Sequence, residues 1–354
     1  MKKIFLFLIL GGLIFTGCSI KKKDPFEQFS KKLENINSYY LEGSMDIINN
    51  EDTYTYDVKV SYQKDNNYKV ELTNISNNHK QAILRNSEGV YVVTPSLNKS
   101  FKFQSDWPHN NSQVYLLESI ISDLEVDEER SVQEKGEDYI LTSKVNYPNN
   151  KKLVKQSITL DKNYDIKEAS VLDENGNVQI KMTFNKVDLK SEFDNNYFNL
   201  NTLITEKEEV KDNDSSNESN ESNESNENSE EGSTQSEEST ATIDDIIYPM
   251  YLPTNTYLSN QEKIMMDNGQ RLILTFEGDN PFTLIEETVG YSEDHEIIPT
   301  FGELTQLSDT IGVVNDNSVN WFSNGIEYYV VSDTMASSEL LDIARSISVL
   351  PVSK

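Results

Sequence analysis

Behind Met1-Lys2-Lys3 the chain is apolar without a break from Ile4 to Phe15, and after that its hydrophobic period changes several times. Asp24-Pro25 predicts a helix start, with Asp24 as N-cap and Pro25 in the first turn. Phe26, Phe29, Leu33 and Ile36 then recur three to four apart, on one helical face. Further on the period becomes two. Tyr54, Tyr56, Val58, Val60 and Tyr62 alternate with polar residues, which predicts a strand with one buried face. Tyr68 to Leu72, Ala82 to Leu84, Val90 to Val93 and Phe101 to Phe103 predict four more strands. The spacing of Val114, Leu117, Ile120, Ile121 and Leu124 predicts a second helix over 112–124. Strands are expected again at Tyr139–Val145, Val154–Leu160, Ile166–Leu172 and Val178–Phe184, the last two joined at Asn175-Gly176, a strong hairpin signal.

The pattern then stops. Residues 205–242 are Ser, Asn and Glu with almost nothing apolar, and Ser216 to Glu227 repeats Ser-Asn-Glu four times. Such a segment cannot bury enough surface to offset its ordering entropy, so it is expected to be a disordered linker. Periodicity returns from residue 243. Tyr248 to Pro253 reads as irregular, Leu272–Phe276, Thr283–Val289 and Glu327–Val331 as strands, and Ser337-Ser338-Glu339 as the start of a final helix carrying Leu340, Leu341, Ala344 and Ile347. The expected class is α+β: a strongly curved antiparallel half-barrel with a helical lid over 25–204, and a small α+β domain over 243–354.

The first segment bears on location. A positive start, a short apolar core and Thr16-Gly17 before Cys18 predict a signal peptide over 1–17. The apolar run is shorter than the roughly 20 residues that a membrane-spanning helix needs. Phe15-Thr16-Gly17-Cys18 resembles a bacterial lipobox, with Phe where Leu is usual; a plain secretory signal is the alternative. Cys18 is the only cysteine in the chain. Its thiol is expected to carry a diacylglyceryl group, whose two acyl chains anchor stably where one does not. Residues 18–24 then form a tether to the outer face of the cytoplasmic membrane. Lys21, Lys22 and Lys23 lie at headgroup level, where each basic residue contributes about 1 kcal/mol.

The 354 residues carry a net charge of −29. Fifteen acidic residues against two lysines fall between Glu206 and Asp245, so nearly half of that charge sits in those 40 residues. The balance argues against nucleic acid, whose phosphates it would repel.

Several stretches carry a family resemblance. They are Tyr39-Tyr40-Leu41-Glu42-Gly43, Arg85-Asn86, Gly89-Val90-Tyr91-Val92-Val93-Thr94-Pro95, Leu97-Asn98-Lys99-Ser100-Phe101-Lys102-Phe103, Trp107-Pro108, Tyr115-Leu116-Leu117 and Leu160-Asp161-Lys162-Asn163-Tyr164. Over roughly Phe26 to Leu200 the chain resembles LolA-like lipoproteins of Gram-positive spore formers, the sporulation and germination lipoproteins of the GerS/YdcC type. The second domain, through Trp321, Gly325, Tyr328-Tyr329 and Glu339 to Ile347, resembles a small domain often fused to this one. The pairing is similar in architecture to envelope-stress regulators of the RseB type. The resemblance implies an unclosed barrel with a helical lid over an apolar cavity, which in Gram-negative carriers holds lipoprotein acyl chains. For the spore-former branch it implies a role in spore formation or germination, with a cortex-modifying peptidoglycan amidase as protein partner. Of the four arginines, Arg85, Arg130, Arg271 and Arg345, none matches the carriers' lid-locking arginine.

Catalytic patterns are not evident. His79, His109 and His295 are far apart in sequence, and a zinc site would need them to converge with other ligands. Asp173-Glu174-Asn175-Gly176-Asn177 places its Gly too early for a calcium loop and reads as a hairpin turn. No nucleophile elbow, P-loop or dinucleotide fingerprint occurs. No cofactor or metal is therefore expected. The candidate cavity or partner-binding residues are Tyr91, Val93, Phe101, Phe103, Trp107, Tyr115 and Trp321. Trp107 is either an exposed anchor or a plug at the end of the barrel. Trp321 and Phe322, as strand neighbours, point to opposite faces. The expected function is non-catalytic binding of an envelope protein from the membrane, the alternative being a carrier or sensor of acyl chains or lipoproteins.

Overall fold

The computed structural model describes residues 23–49, 52–204, 242–243, 245–267, 269–292 and 294–347. The signal sequence, Cys18 and residues 205–241 lie outside them.

Helix α1 (Pro25–Leu33) starts as its sequence dictates: the Asp24 carboxylate accepts from the Phe26 amide at 3.0 Å. Strands β1 (Ser38–Asn49), β2 (Asp52–Gln63), β3 (Asn67–Asn74), β4 (Lys80–Asn86), β5 (Gly89–Thr94) and β6 (Lys99–Phe103) follow as an antiparallel meander. Helix α2 (Leu117–Val126) interrupts it. Then come β7 (Ser131–Lys135), β8 (Asp138–Lys144), β9 (Lys155–Leu160), β10 (Ile166–Leu172) and β11 (Val178–Asp188). β11 returns to pair with β1, which puts the two runs into one open sheet. A β-bulge in that pairing falls between Glu42 and Gly43. A Cβ on Gly43 would collide with the Thr183 carbonyl oxygen and the Met182 side chain, so only glycine fits there.

The period-two pattern is realised in β2, where Tyr56, Val58 and Val60 are buried in the same core as Leu41, Met45, Val70 and Ile158. Phe26 and Phe29 of α1 and Leu117, Ile120 and Leu124 of α2 enter that core too, so both helices cover one face of the sheet. Arg130 lies beside this lid. Its guanidinium sits 4.3 Å from the centre of the Phe26 ring and donates to the Leu124 carbonyl at 3.4 Å, linking α1 to the end of α2. Helix α2 starts five residues later than its apolar spacing predicts. Residues 112–116 are irregular, and Val114 and Tyr115 enter the core from a loop. The Asn175-Gly176 turn is closed by Asp173, which accepts from the amides of Asn175 and Asn177 at 2.9 and 2.8 Å.

The second unit holds β12 (Thr256–Met266), β13 (Gly269–Gly278), β14 (Phe282–Thr288), β15 (Glu296–Thr300), β16 (Glu303–Gln306), β17 (Ile311–Val314), β18 (Ser318–Ser323), β19 (Ile326–Val331) and α3 (Ser337–Ser346). All but β15 form a seven-stranded sheet, ordered β12-β13-β14-β19-β18-β17-β16. Its core packs Leu272, Leu284 and Trp321 against Leu340, Leu341 and Ile343 of α3. Glu286 lies on this sheet beside Tyr328 with no exposed surface. Neither of its carboxylate oxygens accepts a well-formed hydrogen bond, although the Ile247 amide is near enough to favour the charge slightly. Burial pushes its pKa up to about 7.

The two units are joined more closely than two pattern blocks around a linker suggest. β15 leaves the second sheet and pairs in parallel with β6, from Glu296 opposite Lys99 to Thr300 opposite Phe103. It is thereby the twelfth strand of the first sheet.

Candidate functional site

Where the second unit faces the concave side of the first sheet, a cavity of about 410 Å³ remains. The first sheet supplies Met45 and Ile47 from β1, Ile83 from β4 and Ile180 from β11. Period-two geometry turns the first three to the helix-covered face, where they are buried. Trp107, Val114 and Tyr115 form a wall from the loop before α2, and Tyr147 and Leu153 another from the loop between β8 and β9. The second unit closes the space with residues 304–308, Ile311, Tyr251, and Asp342, Arg345 and Ser346 of α3.

Polar bonds hold this closure. Asn49 donates to Ser308 Oγ at 2.8 Å and to the Arg345 carbonyl at 2.7 Å. The Tyr56 hydroxyl donates to the Ser308 carbonyl at 3.0 Å. Buried Gln81 Oε1 accepts from Thr310 Oγ1 at 3.0 Å and from the Ile311 amide at 2.9 Å. Glu303 accepts from Ser105 at 2.8 Å and from the Asn110 amide. An apolar contact accompanies them: Phe322 stacks on Phe101 with ring centres 4.6 Å apart. His295 lies within 2.9 Å of Ser100 Oγ, and Glu296 pairs with Lys99 at 3.4 Å.

The cavity wall is mixed in character. Its charged members among the described residues are Lys152, Asp342 and Arg345. Lys152 Nζ donates to both Asp342 oxygens, at 3.2 and 3.3 Å. Burial holds the Tyr115 and Tyr147 hydroxyls well above the usual phenol pKa, so both stay neutral donors. Beneath the lid, Tyr39 donates to Glu118 at 2.6 Å, and burial raises the pKa of Glu118. Burial also raises Asp123 to about 6. No group of three or more His, Cys, Asp or Glu able to hold a metal occurs among the described residues.

The seven candidate residues separate. Trp107 and Tyr115 line the cavity. Trp107 is 1% exposed and edge-on to Tyr68 at 5.9 Å, so it is a plug and not a surface anchor. Phe101 and Phe103 face the same core but border a crevice of only about 10 Å³, filled from the other side by Phe322. Tyr91 and Val93 point the other way, because they occupy the odd positions of β5. They pack under Phe198 and Leu200 on the opposite face of the sheet, not in the cavity. Trp321 is likewise not a cavity residue; it stacks on Tyr328 at 5.1 Å inside the second core. Its neighbour Phe322 takes the opposite face, as strand geometry requires, and that face meets the first unit. Gln81, Asn49 and Arg345 had no signal of their own in the sequence: each is an ordinary polar residue until a distant segment arrives beside it.

A family model described as "Sporulation protein YdcC-like" matches residues 1–198. Sporulation protein YdcC of Bacillus subtilis (strain 168) is 31% identical over 353 residues, which cover 98% of this chain and 97% of that protein. Three solved structures are similar at lower identity. The MucA/MucB complex of Pseudomonas aeruginosa aligns at 12% identity and TM-score 0.31, over 91% of this chain and 98% of that one. The GerS lipoprotein in complex with the CwlD amidase, from Clostridioides difficile, gives 16% and 0.22, over 48% and 94%. A LolA superfamily protein of Nitrosomonas europaea gives 11% and 0.29, over 49% and 95%.

Proposed function

Because the chain belongs to the family of YdcC-like sporulation proteins, we propose that it is a non-catalytic, lipid-anchored binding protein of the sporulating cell envelope. It holds a protein partner at the membrane through Cys18, and a cortex amidase is the partner to test first. The observation that carries this reading is the outer edge of the second sheet. β12 is eleven residues long, pairs among the described residues only with β13, and is exposed along nearly its whole length. Tyr257, Leu258, Ile264 and Met265 stand exposed on it. The preceding strap adds Tyr248, Met250, Tyr251 and Leu252, and the Tyr248 hydroxyl donates to Gln261 of β12 at 2.9 Å. Among the described residues, eight of the fourteen exposed large hydrophobics thus fall within residues 248–265. An open edge flanked by apolar side chains suits an extended partner segment added as a further strand. A photocrosslinker at Met265 in sporulating cells is expected to trap the amidase, while one at Glu174, in the β10–β11 turn, does not. Equal adducts from both positions contradict the reading.

The cavity supports a second reading, a carrier or sensor of acyl chains. Its volume falls within the usual range of small-molecule pockets, and it lies between two units, where such pockets concentrate. Stoichiometric lipid on the purified protein would favour it.

A further inference from the structure

One cation of the cavity wall, Arg345, has to share its neighbouring acid with a second cation. Arg345 sits in the last turn of α3, and its backbone carbonyl accepts from Asn49 and Ser308. Its guanidinium has no hydrogen-bond or ion-pair partner among the described residues. The acid one turn earlier, Asp342, attracts the guanidinium but forms its close ion pair with Lys152. A cation in the last turn of a helix gains something from the helix dipole, roughly 0.3–1 kcal/mol at an exposed site. Arg345 is only half-buried, so it keeps part of its hydration, and an anionic group in the cavity would replace the part it has lost. Burial holds the Arg345 pKa below the ordinary arginine value, and the attraction of Asp342 offsets part of that.

The surroundings define what would satisfy it. The charged wall is two cations and one acid, a local excess of one positive charge in a chain of net charge −29. Opposite lie apolar side chains, among them Met45, Ile47 and Ile83. A guanidinium presents planar, paired N–H donors that match a carboxylate or a phosphate. The volume of about 410 Å³ equals roughly a dozen waters at about 30 Å³ each.

We infer that the cavity is a binding site for a small anionic amphiphile, its carboxylate or phosphate head bonded to Arg345 and its apolar tail laid against the concave sheet. This rests on the second reading above, that the cavity takes a guest, and adds that the guest is charged.

The test uses the full chain carrying Cys18→Ala, with decanoate, decyl phosphate and the neutral decanol as probes in titration calorimetry. The wild-type cavity is expected to take one decanoate or one decyl phosphate per chain, whichever head is native binding more tightly, and decanol at least tenfold more weakly. Arg345→Gln should weaken the anionic probes about tenfold or more and leave decanol unchanged, and Arg345→Lys should recover part of the loss. Thermal unfolding of each variant shows whether it is folded. Decanol binding as tightly as decanoate, or a folded Arg345→Gln variant binding decanoate like wild type, overturns the role of Arg345 but keeps the guest. Binding of none of the three probes overturns both.

Discussion

Removing the Phe322 ring should loosen the second unit from the first without unfolding either. The ring projects from β18 away from its own core, into the core under the first sheet, and stacks on Phe101 at 4.6 Å. It is 9% exposed. Phe→Ala changes in cores cost about 3–5 kcal/mol, of which the aromatic pair accounts for about 0.5–1.5. Phe322 sits at a junction, so the lower figure, about 3 kcal/mol, is the better expectation. Nearly all of it falls on the contact between units, because the ring contributes nothing to the core around Trp321. At 1.4 kcal/mol per tenfold, that is about a hundredfold weaker association. The assay is a protease site inserted within residues 205–242. After cleavage the wild-type halves should co-elute in gel filtration and separate only on dilution. The Phe322→Ala halves should separate at concentrations about a hundredfold higher, each with its own unfolding transition. Phe101→Ala should do the same, and the double variant should fall short of the sum by about 0.5–1.5 kcal/mol. Halves that separate identically in wild type and variant would refute the junction drawn here.

Two further outcomes concern single residues. Glu286 is raised to about 7 by burial, so the folded chain holds its proton more tightly than the unfolded one. That contribution to stability is complete below the unfolded carboxylate pKa and is lost as pH rises through 7, by about 3 kcal/mol in all. Urea unfolding should therefore show Glu286→Gln with a flatter pH dependence between 5 and 8, and greater stability than wild type at pH 8; an unchanged slope would assign the titration elsewhere. Cys18→Ala should leave the protein off the membrane or with its signal uncut, and a cleaved variant that still fractionates with membranes would remove the lipid tether from the account.

Much of the fold was legible in the sequence because one face of each central strand is buried. β2 shows this through Tyr56, Val58 and Val60, and α1 through its Asp24-Pro25 start. β1 was not read as a strand although its odd positions are buried. Gly43 leaves a gap in the buried row and Tyr40 and Ile48 put apolar side chains on the other, which blurs the alternation, and Gly43 is there for the close pass of Thr183. β7 and β12 gave no periodic signal since both their faces are exposed. The spacing around Val114 was helical, yet loop residues can fill a core at the same intervals. The site was the least legible part. Alternation tells which face of β5 or β18 is buried, but not against what. Tyr91 and Phe101 looked equivalent until the register put them on opposite sides of one sheet. The pairing of β15 with β6 joins residues 197 apart, and no local pattern specifies it.

The central claim is that the open edge of β12 holds the partner. Calorimetric titration of the Cys18→Ala chain with a cortex amidase, beside the same chain carrying Leu258→Asp and Met265→Asp, tests it most directly. The account predicts a defined complex for the first and at least tenfold weaker binding for the second, with the unfolding temperature unchanged. Equal affinity of the two chains, or an amidase that binds neither, would contradict it.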